Sequence, residues 1–111
     1  MSAFHSRLTD ALLTVPSHGN LAAEIARNGS MELEFYQSEV ADSQQPHTRD
    51  ELYIIARGEW VLTVQETDYR FAVGDVLFVP AHAEHRFTSF TSNFATWVVF
   101  YGPEGGETQT H

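Results

Sequence analysis

The chain contains no cysteine and no lysine, and its six basic residues are all arginine. Without thiols, disulfides, thiolate metal sites and cysteine nucleophiles are excluded. Without lysine amines, so are Schiff-base and pyridoxal-phosphate chemistry and the phosphate-gripping lysine of a P-loop. Positive charge is scarce altogether: 15 acidic residues against six arginines leave a formal net charge of −9. Such a surface repels phosphate backbones and anionic headgroups, so neither nucleic acid nor membrane is expected as a partner. Long apolar runs are missing too. Nothing approaches the ~20 consecutive apolar residues of a membrane span, and MSAFHSRLTDALLTV lacks the apolar stretch of a secretory leader. A cytoplasmic location is the resulting expectation.

What is present is a globular composition, 42% hydrophobic and 13% aromatic, over a length of 111 residues that holds one core and no second fold. Phe4, Leu8, Leu12 and Val15 recur at helical spacing ahead of Pro16 and predict one short amphipathic helix over residues 4–15, packed on the outside of the domain. From residue 22 the pattern changes to short runs of Val, Ile, Phe, Tyr and Thr broken by Gly, Pro, Asn and Asp. Strands are predicted at 22–27, 30–38, 51–57, 59–66, 69–72, 76–80, 85–90 and 94–101. Turns are expected at Asn28-Gly29, Arg57-Gly58 and Val73-Gly74-Asp75. Many short strands and little helix imply an all-β sandwich or barrel. Residues 1–29 are read as a helix and leading strand, 30–101 as the barrel, and the polar, glycine-rich 102–111 as a frayed tail that includes His111.

Four side chains suggest chemistry: Gln45, His47, Glu51 and His85. Alternate residues of an extended segment share a face, so Gln45, His47 and Glu51 can point the same way, and a hairpin-rich barrel can bring His85 to them. Two imidazoles and a carboxylate suit a borderline divalent ion such as Fe, Mn, Ni or Zn, with positions left open for water or substrate. Asp50 has the opposite parity and is expected to face solvent or a turn. Tyr53 and Ile55 share the parity of Glu51, and Phe87 that of His85, so these should line the pocket. In the last strand either Trp97, Val99 and Tyr101 or Thr96, Val98 and Phe100 face inward, and Trp97 is taken as a pocket residue. Arg49, Arg57 and Arg86 lie near enough in sequence to meet an anionic substrate, although surface solvation is the plainer use of all three.

The spacing around these residues carries a resemblance. QPHTRDELYIIARG resembles the first motif of the cupin superfamily, in which two histidines one residue apart precede a glutamate and then a glycine: three residues separate His47 from Glu51, and six separate Glu51 from Gly58. GDVLFVPAHAEH resembles the second motif, running from Gly74 through Pro80 to His85, and the 15 residues between Gly58 and Gly74 match the spacing of compact bacterial cupins. The resemblance covers residues 30–101 and implies a double-stranded antiparallel β-barrel, the cupin or jelly-roll fold, with the short helix outside it.

The resemblance also implies roles. His47, Glu51 and His85 fall on three of the four metal-ligand positions, and Gln45 stands where the first histidine would be, so that either its amide oxygen or a water completes the set. His82 replaces a turn glycine and is either an acid/base group at the mouth or a solvent-facing turn residue. Ser89, where an asparagine often closes the motif, is read as structural. Small cupins include dioxygenases, isomerases, lyases and cyclase-like proteins. The implied function is a metal-dependent enzyme of dioxygenase or isomerase/cyclase type acting on a small organic molecule, with a non-catalytic small-molecule-binding or sensor cupin as the alternative. Dimers are common in such proteins and cover exposed β-edges, so a homodimer is expected.

Overall fold

The computed structural model describes residues 2–14, 22–38, 42–44, 46–88 and 93–108. Strand follows strand from residue 22 onward: β1 (Ala22–Asn28), β2 (Met31–Ser38), β3 (Asp42–Gln44), β4 (Asp50–Arg57), β5 (Trp60–Val64), β6 (Thr67–Phe71), β7 (Val76–Val79), β8 (His85–Thr88) and β9 (Phe94–Tyr101). They form two antiparallel sheets, one ordered β1-β2-β9-β4-β7 and the other β3-β8-β5-β6. The sheets lie face to face as an open-sided barrel of jelly-roll type.

Alternation explains the packing. In β4, β5, β8 and β9 alternate residues turn inward, and the apolar ones meet in one core of Tyr53, Ile55, Trp60, Leu62, Phe87, Phe94, Val98 and their neighbours. Aromatic rings dominate it. Trp60 stacks on Phe94 at a centroid distance of 4.2 Å, and Phe87 lies against Tyr53, Trp60, Phe71 and Phe94. The opposite face of the five-stranded sheet carries a smaller cluster in which Phe35, Ala95 and Trp97 pack with Ala11 and Leu12.

That smaller cluster corrects the predicted helix. Among the described residues only Leu8–Ala11 is helical (α1), one turn in place of the twelve residues of 4–15. No side chain caps its N-terminus, and a single turn has too few hydrogen bonds to sustain itself. Tertiary packing of Ala11 and Leu12 holds it instead, while Phe4 and Leu8 remain exposed. Val15 and Pro16 lie outside the described residues. Among the described residues no helix is long and apolar enough to cross a membrane.

Three further boundaries differ from expectation. The β1–β2 loop is Gly29-Ser30, one residue later than Asn28-Gly29, because Asn28 already pairs with Met31 and Gly29 takes a positive φ of 58°. Residues 65 and 66 form the β5–β6 turn rather than strand, with Gln65 at φ 54°, and no glycine or asparagine announces it. Strand β3 was not foreseen, since Asp42–Gln44 is polar throughout; it pairs with β8 at the site described below. The segment after β9 is also held in place: Gly102 N–H donates to Ser30 Oγ, Gly105 N–H to the Thr48 carbonyl and Glu107 N–H to Asp50 Oδ2. Residues 102–108 are thus tied to the rest of the chain by three hydrogen bonds, and His111 lies outside the described residues.

The stacked core predicts that Trp60→Ala costs about 3–5 kcal/mol of unfolding free energy, the range for deleting a fully buried large aromatic. Chemical denaturation of both proteins measures it.

Candidate metal site

Strand β4 carries Glu51 into the barrel, opposite Val79 on one side and Phe100 on the other. The carboxylate is 0% exposed. His85 opens β8 in the other sheet, and His47 comes from the segment leading into β4. One potential ligand atom from each of the three lies within 4.8 Å of the others. Glu51 Oε1 is 3.0 Å from His85 Nε2 and 3.3 Å from His47 Nδ1.

These close approaches do not satisfy the atoms involved. His47 Nδ1 and both Glu51 oxygens are buried and make no hydrogen bond of acceptable geometry. His85 Nδ1 lies 2.9 Å from the Ala83 carbonyl. A carbonyl can only accept, so Nδ1 carries a proton and Nε2 is the nitrogen that faces Glu51. A backbone acceptor on the far nitrogen is the usual way a protein orients an imidazole for a metal. Two imidazole nitrogens and a carboxylate thus converge on one point, an arrangement that a proton shared among them or a divalent ion would satisfy. The donor set fits a divalent ion of borderline character, which His47, Glu51 and His85 would hold.

Protonation follows the same logic. Burial pushes the Glu51 carboxyl up, but its contacts with the His47 and His85 imidazoles outweigh that and leave it below its ordinary value. Burial pushes His85 down, and Glu51 with the Ala83 carbonyl outweighs it and raises His85.

The other expected site residues are dispersed. Tyr53 reaches the centre, its hydroxyl 3.2 Å from His85 Nε2. Ile55 and Phe87 point inward but lie deeper, within the apolar core. Trp97 is a correction: Thr96, Val98 and Phe100 face inward, and Trp97 packs edge-on against Phe35 on the opposite side of the sheet, centroids 4.9 Å apart. The register of β9 against β2 decides this, with Trp97 opposite Phe35. Asp50 does not face solvent. It is 5% exposed and accepts the N–H groups of Ala81 and Glu107. His82 is exposed at φ 68°, and its N–H donates to the His47 carbonyl. Gln45 and Ser89 lie outside the described residues. Arg57 and Arg86 are exposed, and Arg49 is engaged with Glu32 at 2.8 Å.

An open cavity of about 290 Å³ adjoins the centre, walled by Glu32, Glu34, His47, Arg49, Phe100 and Glu104. Sequence reasoning missed the two β2 carboxylates. Glu32 and Glu34 alternate with Leu33 and Phe35, which reads as a polar solvent face and an apolar core face; the structure inverts this, because Phe35 packs beneath α1. Tyr36 shares their parity and is buried in the core, but nothing local in the sequence marks that face as the inner one. Burial, reinforced by Glu32, pushes the Glu34 carboxyl up.

A family model described as "Cupin domain" matches residues 31–101. An uncharacterized protein of Streptomyces coelicolor is 36% identical over 78 residues, 70% of this chain and 74% of that relative. Among solved structures, a cupin-2 domain containing protein from Shewanella frigidimarina superposes with a TM-score of 0.72 at 14% identity, over 87% of this chain and 94% of that one. A DMSP lyase from Ruegeria pomeroyi superposes with a TM-score of 0.66 at 19% identity, over 73% of this chain and 46% of the lyase. At these identities the structural likenesses establish the fold.

For the metal-free protein the two shifts set a pH window. Glu51, lowered in the fold, stabilises above its ordinary 4.5, and that contribution is lost as pH falls through the lower folded value. His85, raised in the fold, stabilises below its ordinary 6.5, and that contribution is lost as pH rises through the higher folded value. Thermal melting of metal-free protein across pH is expected to show this stabilisation complete between 4.5 and 6.5 and declining above.

Proposed function

The chain belongs to the cupin-domain family, and on that premise we propose that it is a metal-dependent enzyme acting on a small organic molecule, of dioxygenase or isomerase/cyclase type. The supporting observation is the convergence of His47, Glu51 and His85, with buried atoms that no hydrogen bond satisfies, beside an open cavity of about 290 Å³. A centre that only braced the fold would be enclosed by protein ligands. When bound, the ion supplies Lewis acidity or, if redox-active, electron exchange with a co-substrate.

The remaining tasks fall to the chain. His47, Glu51 and His85 are the proposed ligands, with Gln45 as a fourth donor. The Ala83 carbonyl would keep His85 in the ligating tautomer, and the Tyr53 hydroxyl, 3.2 Å from His85 Nε2, is a polar group beside the ligands. Ile55 and Phe87 exclude water from below. His82, exposed on the turn whose N–H is tied to the His47 carbonyl, is the proposed acid/base group at the mouth.

Metal content decides between this reading and a ligand-binding cupin. Mass spectrometry of tag-free protein is expected to find about one ion per chain in the wild type and almost none in His47→Ala/His85→Ala. Absence of metal from both after reconstitution would leave a small-molecule-binding or sensor protein as the better account.

We also propose a homodimer. Ile54, Val76 and Phe78 are 38%, 59% and 48% exposed on the outer side of β4 and β7, and β7 is an edge strand of its sheet. Light scattering is expected to give about twice the 12.5 kDa chain mass, with Phe78→Glu shifting the protein toward the single-chain mass.

A further inference from the structure

After β9 the chain reads GPEGGE, and Gly102, Gly105 and Gly106 all take positive φ, at 79°, 87° and 89°. These conformations turn the chain back over the segment leading into β4. Gly105 N–H donates to the Thr48 carbonyl at 2.6 Å, and Glu107 N–H to Asp50 Oδ2 at 2.9 Å. The other Asp50 oxygen accepts Ala81 N–H at 2.9 Å. Each carboxylate oxygen therefore holds a different piece of chain: one the segment after β9, the other the turn that precedes His85.

The fit is close. A Cβ on Gly106 would lie 2.9 Å from Asp50 Oδ1 and 3.1 Å from Ala81 Cβ, so only glycine lets the segment approach. Asp50 is 5% exposed and has no ion-pair partner among the described residues, so its charge depends on these N–H donors. A parallel link runs from His82 N–H to the His47 carbonyl at 2.6 Å. The stretch 47–51, which supplies His47 and Glu51, is thus held between the turn that leads to His85 and the segment 102–108, and Glu104 of that segment forms part of the cavity wall.

We propose that residues 102–108 are a strap latched on Asp50, and that Asp50 is a positioning residue which, through this latch, keeps His47, Glu51 and His85 at ligating distance and slows release of the ion they hold. The inference rests on the metal-site reading. Loosening the latch changes how fast the ion leaves more than it changes folding, because the strap lies outside the apolar core.

The test compares full-length wild type, Gly106→Ala, Asp50→Asn and Asp50→Ala, loaded with Zn(II) and challenged with excess chelator, alongside amide hydrogen exchange of the metal-free proteins. Gly106→Ala leaves Asp50 and every proposed ligand intact. It is expected to release zinc about tenfold faster or more, the scale on which outer supports of metal ligands act, with a melting temperature close to wild type. Faster exchange at the Glu107 and Ala81 amides should accompany it. Asp50→Asn retains one acceptor oxygen and should fall between wild type and Asp50→Ala. Loss of Glu107 protection in Gly106→Ala with zinc release and Ala81 exchange unchanged would overturn the proposal; so would Glu107 protection that survives the substitution. If the wild type takes up no zinc, the metal reading fails separately, and Ala81 exchange in Gly106→Ala alone decides the latch: faster supports it, unchanged overturns it.

Discussion

A carboxylate removed from water inside an aromatic barrel is the constraint around which this molecule is organised. Glu51 is wholly buried, and an isolated charge in such a place is costly unless opposite charge or hydrogen-bond donors meet it. Two imidazoles meet it, one from the segment before its own strand and one from the facing sheet. The two sheets are thereby held in a particular relation: His85 must open β8 at the level where β4 presents Glu51, and the turn after β7 must leave the Ala83 carbonyl under His85 Nδ1.

The aromatic core gives that arrangement a rigid floor. Phe87 and Tyr53, one residue pair deeper than His85 and Glu51 on their strands, meet edge to face with centroids 5.0 Å apart. Interlocking rings of this kind resist sliding of one sheet over the other. Polarity changes abruptly above the floor, from Phe87, Trp60 and Phe94 to the carboxylates, imidazoles and open cavity at the mouth. The division places water exclusion and ligand positioning in different layers of one small domain.

Much of the barrel could be read from the chain because β-structure writes its period locally. The runs that became β4, β7 and β9 carry alternating or continuous apolar residues between turn signals, and the spacing of His47, Glu51, Gly58, Gly74, Pro80 and His85 marked the two cupin motifs. Elements without a local signature were missed or misjudged. Polar β3 exists only through its pairing with β8, the Gln65 turn has no glycine, and the helix shrank to one turn because its packing on Phe35 and Trp97 counts for more than its apolar spacing.

The sequence by itself determined the class of fold, the pair of motifs and the chemical types of the candidate ligands, since these depend on residue identity and short-range spacing. Tertiary structure alone decided which face of a strand is inside. Parity leaves two equivalent choices in β9, and only registration against β2 and β4 turned Phe100 and Val98 inward and Trp97 outward. It likewise turned Glu32 and Glu34 toward the cavity, and it brought a glycine-rich terminal segment onto Asp50, some fifty residues earlier in the chain. Such contacts are set by long-range hydrogen bonding and steric fit, which no local pattern of residues encodes.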